Sequence, residues 1–201
     1  MFGRLTPMVK GILIINIGVF IIVNIFSYAL AFLSLFPFKS DLFKPFQLFT
    51  YMFTHQSFGH IFFNMIGLVV FGSFLEQYWG QNRFLTFYLV TGIGAAVFFG
   101  GINYFELFGP VYLNVPMIGA SGAVYGLLMG CAMLFPNTQV YLLFPPIPIK
   151  LKWLALVLGG ISIFSTINND PSDNVAHLAH LGGMVFAFIM IKIWQRQDHR
   201  Y

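Results

Sequence analysis

Apolar residues dominate this chain in runs rather than in alternation. Six stretches are long or apolar enough to be read as helices in lipid, where about 20 apolar residues cross the hydrocarbon core. They cover about Met8–Leu35, Phe58–Tyr78, Phe84–Tyr104, Ser121–Phe135, Ile149–Ile167 and Val175–Trp194. Pro136 stops the fourth, because proline lacks the N–H that a helix interior requires. Between the first two lies a link, residues 36–57, rich in Phe but carrying Pro37, Lys39, Asp41, Lys44 and Pro45. It is too polar to span and too aromatic for an ordinary wet loop, so it is expected to lie partly at the membrane interface. Three prolines in Tyr141–Ile149 forbid a regular helix there.

Composition agrees with this pattern. Of 201 residues 58% are hydrophobic and 8% are charged, and mean hydropathy is +0.81. A soluble domain carries about 25% charged residues. The expectation is an all-α polytopic membrane protein with six transmembrane helices, residues 1–201 forming one domain. The N-terminal apolar run is read as a first membrane helix rather than a cleaved leader, being long and lacking a small-residue cleavage site. The single Cys131 excludes an intramolecular disulfide and reads as a small core residue.

Charge sets orientation. With both termini in the cytoplasm, the inner side holds Arg4, Lys10, Arg83, Lys150, Lys152, Lys192, Arg196 and Arg200, and the outer side only Lys39 and Lys44. Eight against two is a positive-inside bias. Glu106, Asp170 and Asp173 fall outside. The net charge of +4 is modest and its basic residues sit near helix ends, so no nucleic-acid partner is expected. A bacterial plasma membrane is the expected seat, with lipid as a constant partner.

The fourth stretch is anomalous. Its 15 residues make a helix roughly 22 Å long against a hydrocarbon core of ~30 Å. If its far end reaches the cytoplasmic surface, Ser121 starts it below the outer surface, and the preceding G-P-V-Y-L-N-V-P-M-I-G-A dips into the protein. Irregular backbone at that depth needs cover from protein or a water-filled cavity. Serine at a helix start can be a plain N-cap. The flanking glycines point further: Gly122, Gly126 and Gly130 leave one helix face bare for close packing.

Two other stretches supply polar partners. In the sixth, His180, Gly183 and Ala187 share a face that can meet the small face of the fourth. Imidazole is the usual base for a serine hydroxyl. His177, one turn earlier, reads as a supporting or interfacial group. In the second, His60 and Asn64 share a face that does not suit lipid, and both can donate hydrogen bonds to a developing oxyanion. The backbone N–H of Ser121 can join them at the positive end of its helix. No carboxylate completes a triad: Glu76 lies some 18 Å from Asn64 by helical rise, and reads as a tie between helices. A Ser121–His180 dyad is the economical reading.

These residues resemble the rhomboid family of intramembrane serine proteases. The likeness rests on three motifs in order: H-x4-H-x3-N at His55, His60 and Asn64; G-A-S-G at Ser121 with Tyr125 four residues on; and A-H-x-G-G at His180 with Ala187 beyond. It covers most of the chain and implies the basic six-helix form, with a short submerged fourth helix and a long interfacial first loop. It implies Ser121 as nucleophile and His180 as base. It implies an oxyanion hole from His60, Asn64 and backbone N–H groups near Ala120 and Ser121, with Gly119 letting the backbone approach the substrate carbonyl. Tyr125 would pack beside the His180 ring and His55 would brace the long loop. Substrates would be transmembrane helices of other proteins, admitted past the fifth helix and a cap around Asn168–Asn174, with no cofactor and no metal. One departure stands out: many members carry a Trp-Arg pair in the first loop, where this chain has Phe46-Gln47. The loop is then expected to anchor by hydrophobic contact alone.

Other readings account for less. His55, His60, His177 and His180 could in principle hold zinc, but no HExxH occurs. A transporter fits buried polar groups and a broken helix, yet leaves the Ser–Gly and His–Gly pairing unexplained. An inactive relative would be expected to lack the serine or the histidine.

Overall fold

The computed structural model describes residues 5–107, 113, 115–143, 145–168 and 177–198. Among the described residues five helices are long and apolar enough to cross a membrane: α1 (Pro7–Ile25), the continuous Phe58–Trp79 segment, α6 (Gln81–Tyr104), α8 (Leu151–Asn168) and α9 (His177–Asp198). Helix α7 (Ser121–Leu134) is apolar but shorter. The chain is a predominantly helical, polytopic integral membrane protein.

Several elements depart from the apolar pattern, each for a local reason. The first stretch is not one helix. It breaks at Phe26, whose backbone is extended, and resumes as α2 (Ser27–Leu33). Unbroken from Met8 to Leu35 it would be roughly 42 Å long and overshoot the hydrocarbon core. The turn instead delivers Leu35 to Met117, with which it exchanges two backbone hydrogen bonds, of 2.9 and 2.7 Å. The second span is α4 (Phe58–Gly67), a π-helical turn at Leu68–Gly72, and α5 (Ser73–Trp79). A π turn widens the helix by one residue and loosens its carbonyls; the Cys131 thiol donates to the Phe71 carbonyl there, at 3.7 Å. Cys131 is buried.

The proline-rich link after α7 is not helical, as expected, but neither is it irregular throughout. Strand β1 (Gln139–Tyr141) pairs antiparallel with β2 (Pro148–Lys150) in the register Val140↔Ile149. Pro148 takes an edge position, where its missing donor is not needed.

The long first loop is packed into the protein. Tyr51, Met52 and Phe53 are buried, and the Tyr51 hydroxyl donates to the Gly92 carbonyl at 2.7 Å. Anchoring is not by hydrophobic contact alone, which corrects the expectation for Phe46-Gln47. Gln47, at the start of α3 (Gln47–Thr50), is 2% exposed. Its carbonyl oxygen accepts from the backbone N–H of Lys44 and Phe36, and its amide donates to the carbonyls of Phe32 and Leu42. One buried neutral side chain thus gathers four backbone groups, one from the end of α2 and three from the loop, around itself.

At the other end of the bundle Glu76 ties helices as expected. Its carboxylate accepts from the Thr6 hydroxyl and from the backbone N–H of Met8 and Val9, both at 3.0 Å. These are free N–H groups in the first turn of α1, where a carboxylate also complements the helix dipole.

Candidate active site

Helix α7 threads the middle of the bundle on small residues. A Cβ placed on Gly126 would meet Thr91, and one on Gly130 would meet Phe87, both on α6. The bare face of α7 therefore serves α6 for most of its length. The expected meeting with the small face of α9 is also there: α9 packs on α7 more extensively than any other helix, and most closely at the first turn of α7, where a Cβ on Gly183 would overlap the Gly122 carbonyl oxygen. Ala187, next along that face, is fully buried.

That close crossing sets the central geometry. Ser121 is the first helical residue of α7 and Ala120 holds the cap position, without any side-chain cap bond. The Ser121 hydroxyl is thus not an N-cap. It lies 2.9 Å from Nε2 of His180. His180 is the fourth residue of α9 and is 6% exposed. The Tyr125 ring stacks on the imidazole, with centroids 4.0 Å apart and planes 9° from parallel. His177 meets the same imidazole edge-on, at 5.7 Å.

The chain before Ser121 is pinned from below. The Gly119 N–H donates to the Tyr51 carbonyl at 2.9 Å. Gly119 has φ +105, and a Cβ there would come within 2.5 Å of Nε2 of His60. The position needs glycine on both counts. The Ala120 N–H points at Nε2 of His55, at 3.4 Å. His55 is fully buried and contacts the His60 ring edge-on. Burial, and then the neighbouring His60, push its pKa down to about 4. His55 therefore meets the Ala120 N–H as a neutral acceptor.

From α4, Asn64 is buried and its amide donates to the His60 carbonyl at 2.9 Å. An amide nitrogen carries two donors, so this bond uses one. Among the acids, Glu76 is committed to α1, and Glu106 pairs with Lys39 at 2.9 Å. Asp170, Asp173 and the expected cap at Asn168–Asn174 lie, apart from Asn168, outside the described residues. Among the described residues no three His, Cys, Asp or Glu side chains gather as metal ligands would.

Ser121, Tyr125, His180, His60 and Asn64 face one cavity of about 480 Å³. Met117, Ile118 and Phe63 supply apolar wall and Gln56 a polar rim. Tyr51, which steadies the loop through its carbonyl, gave no sign of this in the sequence, being one of many aromatics there.

In this helical membrane protein a serine hydroxyl and an imidazole are in hydrogen-bond contact beside a half-open cavity, an arrangement in which the imidazole can accept the hydroxyl proton. The pattern described as Rhomboid domain matches residues 42–197, and the chain belongs to the rhomboid family. It is 31% identical to RHOMBOID-like protein 12, mitochondrial, of Arabidopsis thaliana over 201 residues, covering 90% of this chain and 56% of that protein. It is 30% identical to Putative rhomboid protease YdcA of Bacillus subtilis, covering 77% and 70%. It is 26% identical to Rhomboid protease AarA of Providencia stuartii, covering 69% and 52%. The chain spans about 56% and 64% of the length of two of the Arabidopsis relatives it matches.

Proposed function

We propose that this chain is an intramembrane serine protease that cuts transmembrane helices of other membrane proteins. The observation that carries the reading is the 2.9 Å contact of Ser121 Oγ with His180 Nε2. His180 takes the hydroxyl proton as Oγ attacks the scissile carbonyl, then gives it to the departing amine; water, activated the same way, releases the acyl group. Tyr125 fixes the imidazole plane and His177 its edge. Gly183 brings the base within reach by letting α9 touch the Gly122 carbonyl.

The oxyanion that forms is met by the second Asn64 N–H, the His60 ring and the Ser121 backbone N–H, which the α7 dipole favours. The Ala120 N–H contributes less in this reading, being directed at His55. Gly119 leaves room for the substrate carbonyl beside His60. Water and substrate enter through the cavity rimmed by Gln56.

In the same reading residues 1–201 form one domain with six crossings, α7 being the short one, its serine end below the outer surface. The termini face the cytoplasm, supported by the distribution of lysine and arginine, and a bacterial plasma membrane is the seat. Helix α8 is the gate through which substrate passes.

A hydrophobic fluorophosphonate probe tests the chemistry. Wild type labels, Ser121→Ala does not, and His180→Ala labels far more slowly. Equal labelling of all three would overturn the dyad. Cleavage of a detergent-solubilised transmembrane substrate by wild type, absent in Ser121→Ala, separates a protease from another serine hydrolase.

A further inference from the structure

A second cavity lies away from the serine, on the lipid side of α8 and α9. It is a groove of about 690 Å³, floored by Met129 and Met133 of α7 and walled by α8 and α9. Its lining is apolar except for Lys152. Gly159 and Gly160 open it from the α8 side. A Cβ on Gly160 would meet nothing within 4 Å, whereas one on Gly159 would meet Met184 of α9.

The register between these helices shows what stands at the end of the groove. Consecutive spans run antiparallel, and Gly159 faces Met184. Seven residues back along α8 is Lys152, and seven forward along α9 is Ile191, so Lys152 is level with Lys192 to within one residue. Lys192 Nζ lies over the ring of Phe188, itself a groove residue, at 5.7 Å. Lys152 Nζ lies 5.5 Å from the Trp153 ring. Two ammonium groups thus flank one mouth of an apolar groove that runs roughly 16 Å from Lys152 to Ile163.

We propose that this groove is a binding site for an anionic glycerophospholipid, one acyl chain lying along Gly159–Gly160 and the phosphate resting between Lys152 and Lys192. Charge chooses this occupant, and the apolar groove has room for a hydrocarbon chain. Lipid tails are as apolar as the groove, so moving a chain into it gives little hydrophobic gain. Selection must come from the headgroup, and two cations select an anionic one. A lysine near an anionic headgroup strengthens binding about five-fold.

The test is native mass spectrometry of the full chain, purified in dodecyl maltoside and given equimolar dioleoyl phosphatidylglycerol and dioleoyl phosphatidylcholine. We expect one retained lipid, phosphatidylglycerol favoured by at least about five-fold. Lys152→Ala with Lys192→Ala erases the preference; Lys10→Ala, on α1, leaves it. Gly160→Leu fills the groove and removes the retained lipid of either kind, with the melting temperature unchanged or higher. Equal retention of the two lipids would overturn the proposal, as would a preference that survives the double lysine variant or a lipid that stays bound to Gly160→Leu. A dimer that Gly160→Leu dissociates would assign the groove to a second copy instead, and also overturn it.

Discussion

Helices α7 and α8 are neighbours in sequence and both strongly apolar, yet they live differently in the bundle. Nine of the 14 residues of α7 are buried. Only five of the 18 in α8 are: Leu151, Ala155, Gly159, Ser162 and Thr166, one stripe at helical spacing. Most of the rest of α8, including Leu156 and Phe164, faces outward, while Leu154 and Leu158 lean partly against the core. Hydrophobicity does not separate the two; residue size does. Glycine and alanine let α7 sit at backbone distance from its neighbours, where a displacement of an ångström meets a hard wall. Bulky residues on α8 meet lipid, which yields. The hydroxyl of Ser121 is carried by the tightly packed helix, and the groove is flanked by the loosely packed one.

The sharpest way to break this contrast is to add bulk to each helix contact. Gly183→Leu drives a side chain into the Gly122 carbonyl. Overpacking costs about 1–3 kcal/mol where side chains can shift and more where backbone stands in the way, so thermal unfolding in detergent is expected to show a large loss of folded protein. The same substitution at Gly160 on α8 should leave the melting temperature unchanged or higher. If both are tolerated, the rigidity of α7 is overstated.

Next in size is Asn64→Ala. If it supplies an oxyanion donor, kcat on a transmembrane substrate falls about 10²–10³-fold, with the fold intact by circular dichroism. A fall in stability with kcat unchanged would make it purely structural.

Acid should act on the loop that leads into α7 and spare α8. His55 has a folded pKa of about 4 against an ordinary 6.5. Between those values the unfolded chain binds a proton that the folded chain refuses. Stability is therefore full above pH 6.5, falls as pH drops toward 4 and levels off below, by no more than about 3 kcal/mol. Denaturation midpoints across that range measure it, and His55→Asn should flatten the slope.

Smaller still, Gly126→Ala puts a methyl 2.7 Å from Thr91 Cβ and should cost roughly 1–2 kcal/mol. Leu156→Ala, on the outward face of α8, should change stability by less than about 0.5 kcal/mol.

The positions of the long helices were legible because apolar runs of spanning length have few other uses. So was the approach of Ser121 to His180, because glycines at Gly122 and Gly183 announce close contact; the place of Tyr125 beside the imidazole was implied by the family resemblance. The Glu76 tie was legible from a lone carboxylate between apolar helices. What could not be read depends on partners distant in sequence. Nothing near Phe26 says that the helix must end there; the reason is Leu35 reaching Met117. Gln47 looked like the loss of a polar anchor, and only the course of the loop around it gives its amide four partners. The commitment of the Ala120 N–H to His55, the widened turn at Leu68–Gly72 and the division of the α7 face between α6 and α9 are likewise settled by neighbours. The polar residues announced themselves by being out of place; their bonding did not.

The carboxylate of Glu76 has one more implication, for the order in which the chain is made. The N–H groups it satisfies belong to Met8 and Val9, so the two halves of this clasp leave the ribosome almost seventy residues apart. The first span enters the bilayer with its leading turn unfinished, and it cannot be fastened until the second has followed. Its final seat is decided by a residue synthesised after it, and the arrival of residue 76 is the moment at which the two spans can be clasped together.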